Sequence, residues 1–312
     1  MQSKFSRFFL TLLLASFGIL TEGLLSLPSA EARADRSVTI RFQGQVGDRL
    51  FECGTSYPNL GTQNTAVTFS DFRFYVSEIA LQDADGNLVP LTLTQDEQWQ
   101  YQNVALLDFE DKSASCANGT TPTRDVVIGT IPEGNYTGIQ FVLGVPESLN
   151  HEDATLASSP LNLTSLWWNW RGGYKFLRVD LMVEELARKG GNHGGGHHGG
   201  GNHGGDHHHS NAFGIHLGST GCGTLANNIQ PENCTYPNRS TVVLLDFDPD
   251  ENAIVADLAA LLENTNLTVN QPNTPSGCMS SPEDGDCSGI MKNLGIPFND
   301  NSGAQSTFFR VE

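Results

Sequence analysis

The stretches VTIRF (residues 38–42), FRFYV (72–76) and GIQFVL (138–143) place apolar side chains at every second position: Val38, Ile40 and Phe42, then Phe72, Phe74 and Val76, then Ile139, Phe141 and Leu143. A period of two is the signature of a strand with one face buried. Outward from these three, further strands are predicted over 103–109, 125–131, 176–183, 213–217, 241–247 and 307–311, with Gly, Pro, Asn and Asp between them. About nine short strands separated by turn residues predict an all-β chain, an antiparallel β-sandwich or barrel-like domain with long loops. One short helix is expected over 253–263, where Ile254, Leu258, Leu261 and Leu262 fall at helical spacing after an acidic entry.

Lys4 and Arg7 precede the apolar run FFLTLLLASFGIL, and small-residue cleavage patterns follow at Ala30-Glu-Ala32 and Ala32-Arg-Ala34. This order predicts an export signal over 1–34, removed after Ala32 or Ala34, and a periplasmic or secreted protein. The run is short for a membrane span, so the competing reading is an uncleaved interfacial anchor, and no other segment is apolar enough to cross a bilayer. Residues 35–312 then read as a single domain. With 17 basic against 35 acidic residues the chain carries a formal charge of −18, which argues against nucleic acid as a partner.

Six cysteines are an even count, and in an oxidising compartment they predict three disulfides. The shortest closures are Cys222–Cys234 and Cys278–Cys287, leaving Cys53–Cys116, although six cysteines allow fifteen pairings. A zinc site built from these thiols is the alternative, disfavoured by export and by the lack of any CxxC pair.

The strand pattern is interrupted over 190–210 by a segment of Gly, Asn and His, in which His193, His197, His198, His203, His207, His208 and His209 make up seven of the nine histidines. With no apolar side chain to bury, it is expected to be a disordered insertion between the strands at 176–183 and 213–217. Imidazoles on so pliant a backbone suit copper, nickel or zinc, and the competing reading is a solvated linker. The two remaining histidines are His151, after a strand and its Pro turn, and His216, on the opposite face of its strand from Phe213, Ile215 and Leu217. Three of the four tryptophans lie within LWWNWRGGYKF, at Trp167, Trp168 and Trp170, as a core plug or a stacking platform for sugars. Asp246, Asp248, Asp250, Asn252 and Asp257 fall at positions 1, 3, 5, 7 and 12 of a calcium-loop pattern. Glu251 stands where that loop needs Gly, so an acidic turn leading into the helix is the better reading. No nucleophile elbow, P-loop, HExxH or dinucleotide fingerprint is present, and a binding protein is expected in preference to an enzyme.

The strings FECGTSY, DFRFYVSEIAL, WQYQNVALLDFED, GVPESLNHEDATLASSPLN, LWWNWRGGYKFLRVDL, HLGSTGC, CTYPNR and GCMSSPEDGDC, taken in order, resemble the MbnP family of exported copper proteins. The resemblance implies copper as the bound ion and, as partner, a di-haem cytochrome of the MbnH or MauG type that oxidises a tryptophan to kynurenine. By match to the family's WxW string, Trp168 and Trp170 are the candidates for conversion, with Trp167 less so and Trp99 a packing residue. His151 and His216 are the candidate imidazole ligands, and Arg171 and Tyr174 stand close enough in sequence to support the site. The insertion is this chain's departure from the family pattern. The alternative function is an exported carbohydrate-binding or adhesion module that uses the tryptophan cluster; a secreted hydrolase has only scattered acids and histidines behind it.

Overall fold

The computed structural model describes residues 34–117, 119–184, 211–224 and 231–312. The export signal, Ala34 apart, and the His/Gly insertion with its seven histidines lie outside the described residues. All described residues belong to one compact unit, Ala34–Glu312.

Two sheets carry the fold. The larger orders Ser240–Leu245, Tyr136–Leu143, Thr65–Asp83, Leu177–Val183, Ala212–Leu217 and Gly277–Cys278, with shorter strands such as Val104–Asp108 joining the long central one. The smaller orders Phe309–Val311, Ala253–Asp257, Asp35–Val46, Val126–Pro132 and Thr92–Leu93. Most neighbours are antiparallel, whereas Asp35–Val46 with Ala253–Asp257 and Ala212–Leu217 with Gly277–Cys278 are parallel. The expected all-β sandwich is therefore present, with all three expected disulfides closed: Cys53–Cys116, Cys222–Cys234 and Cys278–Cys287.

Val38, Ile40 and Phe42 point inward from one sheet and Phe72, Phe74 and Phe141 from the other, all buried. The Phe42 ring meets Phe74 at 6.1 Å and Phe141 at 5.8 Å, and Phe309 meets Phe74 at 5.6 Å, mostly edge to face. Each fully buried ring contributes roughly 1.5–3 kcal/mol, so this aromatic layer holds the two sheets together.

The strand Thr65–Asp83 departs from the one-sided pattern, because its second face is buried too. Arg73 is only 1 % exposed, ion-paired with Asp71 and with Glu110 at 3.7 Å, and the Tyr75 hydroxyl donates to the Pro160 carbonyl at 2.9 Å. The segments that carry Pro160 and Glu110 supply partners on this face, so the alternating polar positions serve as an internal polar layer.

The helix expected over 253–263 is half strand. Ala253–Asp257 lies buried and parallel to Asp35–Val46, from Arg41 opposite Ala253 to Gln45 opposite Asp257. The helix runs only over Leu258–Leu262, capped by Asp257, which accepts from the Ala259 and Ala260 N–H groups. A short apolar run reads alike as buried strand or buried helix, and here pairing with the smaller sheet decides. Two further short helices, Glu147–Asn150 and Cys287–Asn293, bring the α-helices among the described residues to three instead of the expected one.

Candidate metal centre

The tryptophans sit on a small hairpin. After a 3-10 turn over Thr164–Leu166, the strand Trp167–Asn169 pairs antiparallel with Gly173–Tyr174. The turn between them is closed by Asn169, whose Oδ1 accepts from both Arg171 N and Gly172 N at 2.9 Å. Tyr174 anchors the base: it is buried, its N–H donates to Asn150 Oδ1 at 3.0 Å, and its hydroxyl donates to the Leu161 carbonyl at 2.6 Å. Burial pushes the Tyr174 hydroxyl pKa up, which keeps it neutral.

This hairpin separates the tryptophans. Trp167 packs against the core. Trp170 is 39 % exposed, with the Arg171 guanidinium 5.2 Å over its ring. Trp168 is half-buried and lines a cavity of about 660 Å³ together with Asn169, Arg171, Thr220, Cys222 and Met279. Its indole edge lies against Gly218, where an added Cβ would stand 2.5 Å from Cζ3, so only glycine admits the ring there. Trp99, at 9 % exposure, is the packing residue expected.

His216 stands on the strand Ala212–Leu217, half-buried, while Phe213, Ile215 and Leu217 face the core, as the alternation predicts. Its Nε2–H donates to Asp180 Oδ1 at 2.8 Å from the neighbouring strand Leu177–Val183, which leaves the ring's lone pair on Nδ1. Arg178 holds the other Asp180 oxygen at 2.6 Å and also reaches Asp71 at 3.1 Å. Burial alone would raise the Asp180 carboxyl, but the hydrogen bond and charge of His216 and the charge of Arg178 outweigh it and hold the pKa at about 2. The carboxylate is therefore a permanent anion behind the imidazole.

Met279 completes this wall. The parallel pairing of Ala212–Leu217 with Gly277–Cys278 carries the next residue, Met279, alongside His216. A Cβ placed on Gly214 would stand 3.0 Å from Met279 Cε, 3.3 Å from Asp180 Oδ1 and 3.6 Å from His216 Nε2, so the Met279 methyl and the Asp180–His216 pair converge over the space this glycine leaves open. Ser280 fastens the arrangement: its hydroxyl donates to the His216 carbonyl at 2.9 Å and accepts from Gly218 N at 3.0 Å. Sequence reading assigned Met279 no role. The available signal was a methionine, one of only four, directly after a cysteine in the GCMSSPEDGDC string.

His151 is placed differently. It caps the short helix Glu147–Asn150, is 5 % exposed and, like His216, does not line the Trp168 cavity. Its Nδ1–H donates to the Trp170 carbonyl at 3.1 Å, and Nε2 faces Asn150 Nδ2 at 3.3 Å and Cys234 Sγ at 3.4 Å. Burial lowers its pKa, which favours the neutral ring. The two expected imidazole ligands thus have separate sets of neighbours, and His216 is the one beside Met279.

The calcium pattern does not close around a point. Asp250 is ion-paired with Arg36 at 3.0 Å, Asp248 accepts from Asp250 N at 2.8 Å, and Asn252 accepts from Asp248 N at 2.8 Å. Asp246 sits in the left-handed region at φ 58°. Asp257 lies beyond the whole strand Ala253–Asp257, where it caps a helix and binds Arg310 at 2.8 Å. Asp246, Asp248, Asp250 and Asn252 form an acidic turn that leads into a strand, in place of the helix expected, and Asp257 ends that strand.

The site is thus a cavity of a β-sandwich lined by Trp168 and Met279, with the Asp180-backed imidazole of His216 beside Met279. The sequence profile of the MbnP family matches residues 35–280, and the chain belongs to that family. Its fold is similar to that of MbnP from Methylosinus trichosporium, with a TM-score of 0.72 and 27 % identity over 89 % of this chain and 98 % of the other. No curated protein matches the chain.

Proposed function

We propose that this protein is an exported copper-binding protein whose centre lies between Trp168, His216 and Met279, and that Trp168 is oxidised to kynurenine by a di-haem partner. The observation that carries this reading is the meeting of an oxidisable indole with Met279 in one cavity, with the His216 ring beside the Met279 methyl over Gly214. An imidazole and a thioether favour Cu(I) over harder cations. Opening the indole ring supplies an aryl amine and a ketone on the cavity wall, groups that intact tryptophan lacks. Asp180 orients the imidazole.

Trp168 is preferred to Trp170 for conversion, since Trp170 lies at the surface beneath Arg171 and does not line the cavity. A sugar platform needs broad exposed aromatic faces, and of the three clustered tryptophans only Trp170 is exposed. The protein is then the substrate of an oxidising enzyme and not itself an enzyme. Three disulfides, and no helix among the described residues long and apolar enough to cross a membrane, fit an exported, non-membrane protein, placed here in the periplasm or outside the cell.

The test is peptide mass spectrometry across 166–175 on protein produced with its di-haem partner. A gain of about 4 Da on Trp168, the covalent signature of indole becoming kynurenine, is expected together with one tightly held copper. Intact Trp168 in copper-loaded protein, or the gain on Trp170 alone, overturns the assignment.

A further inference from the structure

A second set of soft donors collects behind the tryptophan hairpin. Cys222 and Cys234 face each other across the paired strands Thr220–Thr224 and Pro231–Tyr236. His151 stands against them, and one of its ring nitrogens and the two sulfurs lie within 4.8 Å of one another. Because Nδ1–H donates to the Trp170 carbonyl, the lone pair is on Nε2, the nitrogen that faces Cys234 Sγ at 3.4 Å. This is how a ligating imidazole is held: one nitrogen fixed by a carbonyl and the other aimed at the site.

As a disulfide the pair is a poor ligand; as thiolates it is a strong one. It is also the most accessible of the three bridges, since both of its cysteines are half-buried, whereas Cys116, Cys278 and Cys287 are fully buried. Cavities reach it from two sides. Cys222 lines the Trp168 cavity, and Cys234 lines a pocket of about 160 Å³ with Glu147, Asn233 and Arg239.

We propose that Cys222, Cys234 and His151 form a redox-gated site for a thiophilic d¹⁰ cation, Cu(I) or Zn(II), separate from the Trp168 centre and opened by a dithiol reductant. The dithiol gives two electrons and two protons to the Cys222–Cys234 bond and closes to a disulfide itself. The S–S bond breaks and each cysteine gains S–H; binding of the cation then releases both thiol protons to solvent. At His151 the cation replaces the Asn150 amide hydrogen on Nε2, while the bond to the Trp170 carbonyl is kept. The oxidised protein therefore lacks this site and the reduced protein gains it.

The site needs no kynurenine, so it is tested on protein made without the di-haem partner, where its failure is independent of the reading given above. Limited dithiol reduction followed by alkylation and peptide mapping should label Cys222 and Cys234 before any other cysteine. Titration of the reduced protein with Co²⁺ should then produce a thiolate-to-cobalt charge-transfer band that saturates at one equivalent. Histidines elsewhere in the chain are silent in that band because they carry no sulfur. Cys222→Ser with Cys234→Ser should abolish it, and His151→Gln should weaken Co²⁺ binding by about 10-fold or more. If the double variant fails to fold, reduced wild-type protein with both thiols alkylated serves in its place and should show no band. No band in the reduced protein, a band that survives blocking of both thiols, or labelling of Cys53 and Cys116 first overturns the proposal.

Discussion

The two histidines outside the Gly-rich insertion border the same tryptophan hairpin and are held in opposite ways. His216 sits on a regular strand with a carboxylate behind it, and that carboxylate leads through Arg178 and Asp71 to the buried Arg73. His151 sits at a helix end where its ring's direct partners are neutral, a carbonyl, an amide and a disulfide sulfur, and the Glu147 charge acts on it only through space. A charged backing makes an imidazole a better donor and fixes its tautomer, whereas a carbonyl alone fixes orientation. Residue type is therefore a poor guide to ligand identity here; what stands behind the ring and what shares its opening decide.

Breaking the difference from the His216 side gives the largest expected effect. His216→Ala should lower Cu(I) affinity of the partner-matured protein by more than about 100-fold, above the 10–100-fold usual for groups outside the ligand shell, while His151→Gln in oxidised protein retains copper. Competition against a Cu(I) chelator reads both, and equal losses would show that the two rings serve one ion. Asp180→Asn tests the backing itself. The amide keeps the space but loses the charge, and a fall of about 10–100-fold is expected. Gly218→Ala acts on the wall opposite: its methyl would stand 2.5 Å from the Trp168 ring and 2.7 Å from the Tyr174 carbonyl. Overpacking of this kind costs about 1–3 kcal/mol, read as a lower midpoint in denaturant, and should also displace Trp168 enough to reduce its conversion to kynurenine.

The same contrast shows what was legible in the sequence. The alternation of Val38, Ile40 and Phe42 marks one face of a sheet because side chains two apart must share a face. His216 follows from that rule, being out of phase with Phe213, Ile215 and Leu217. Ala253–Asp257 does not, since a run buried on both faces has no period to read. Met279 was hidden for another reason: it reaches His216 only through a parallel pairing between strands some sixty residues apart, Gly214 with Gly277 and Ile215 with Cys278. Nothing local in the sequence encodes that register. The pairing of Leu177–Val183 with Ala212–Leu217, expected from their flanking positions, does occur, yet the connection between them leaves from the Met182–Ala212 end. His216 pairs with Arg178, four steps away, about 13 Å along the strand. The insertion's points of attachment are thus set apart from His216 along the strand pair.

The smallest effect on copper concerns the buried charge layer around Arg73, which reaches His216 through Asp71, Arg178 and Asp180. Asp108 is fully buried, and burial pushes its carboxyl up to about 8 against the pull of the Arg73 guanidinium. An acid whose pKa is raised by folding binds a proton in the native state where the unfolded chain has lost it, so its contribution to stability is full below about pH 4 and declines as pH rises toward 8. The slope from this one proton is at most about 1.4 kcal/mol per pH unit. Asp108→Asn keeps an acceptor for the Glu110 N–H and can donate to Thr120 Oγ1, the two groups that the carboxyl engages at 3.2 Å. The variant should therefore flatten the fall in stability between pH 5 and 8, measured by denaturant unfolding at a series of pH values, and gain most relative to wild type at the alkaline end. An unchanged slope would mean that Asp108 is ionised in the fold and that the negative charge around Arg73 is larger than the raised pKa implies, whereas a flattened slope together with unchanged copper affinity would separate the charge layer that supports the strand from the single carboxylate, Asp180, that addresses the imidazole.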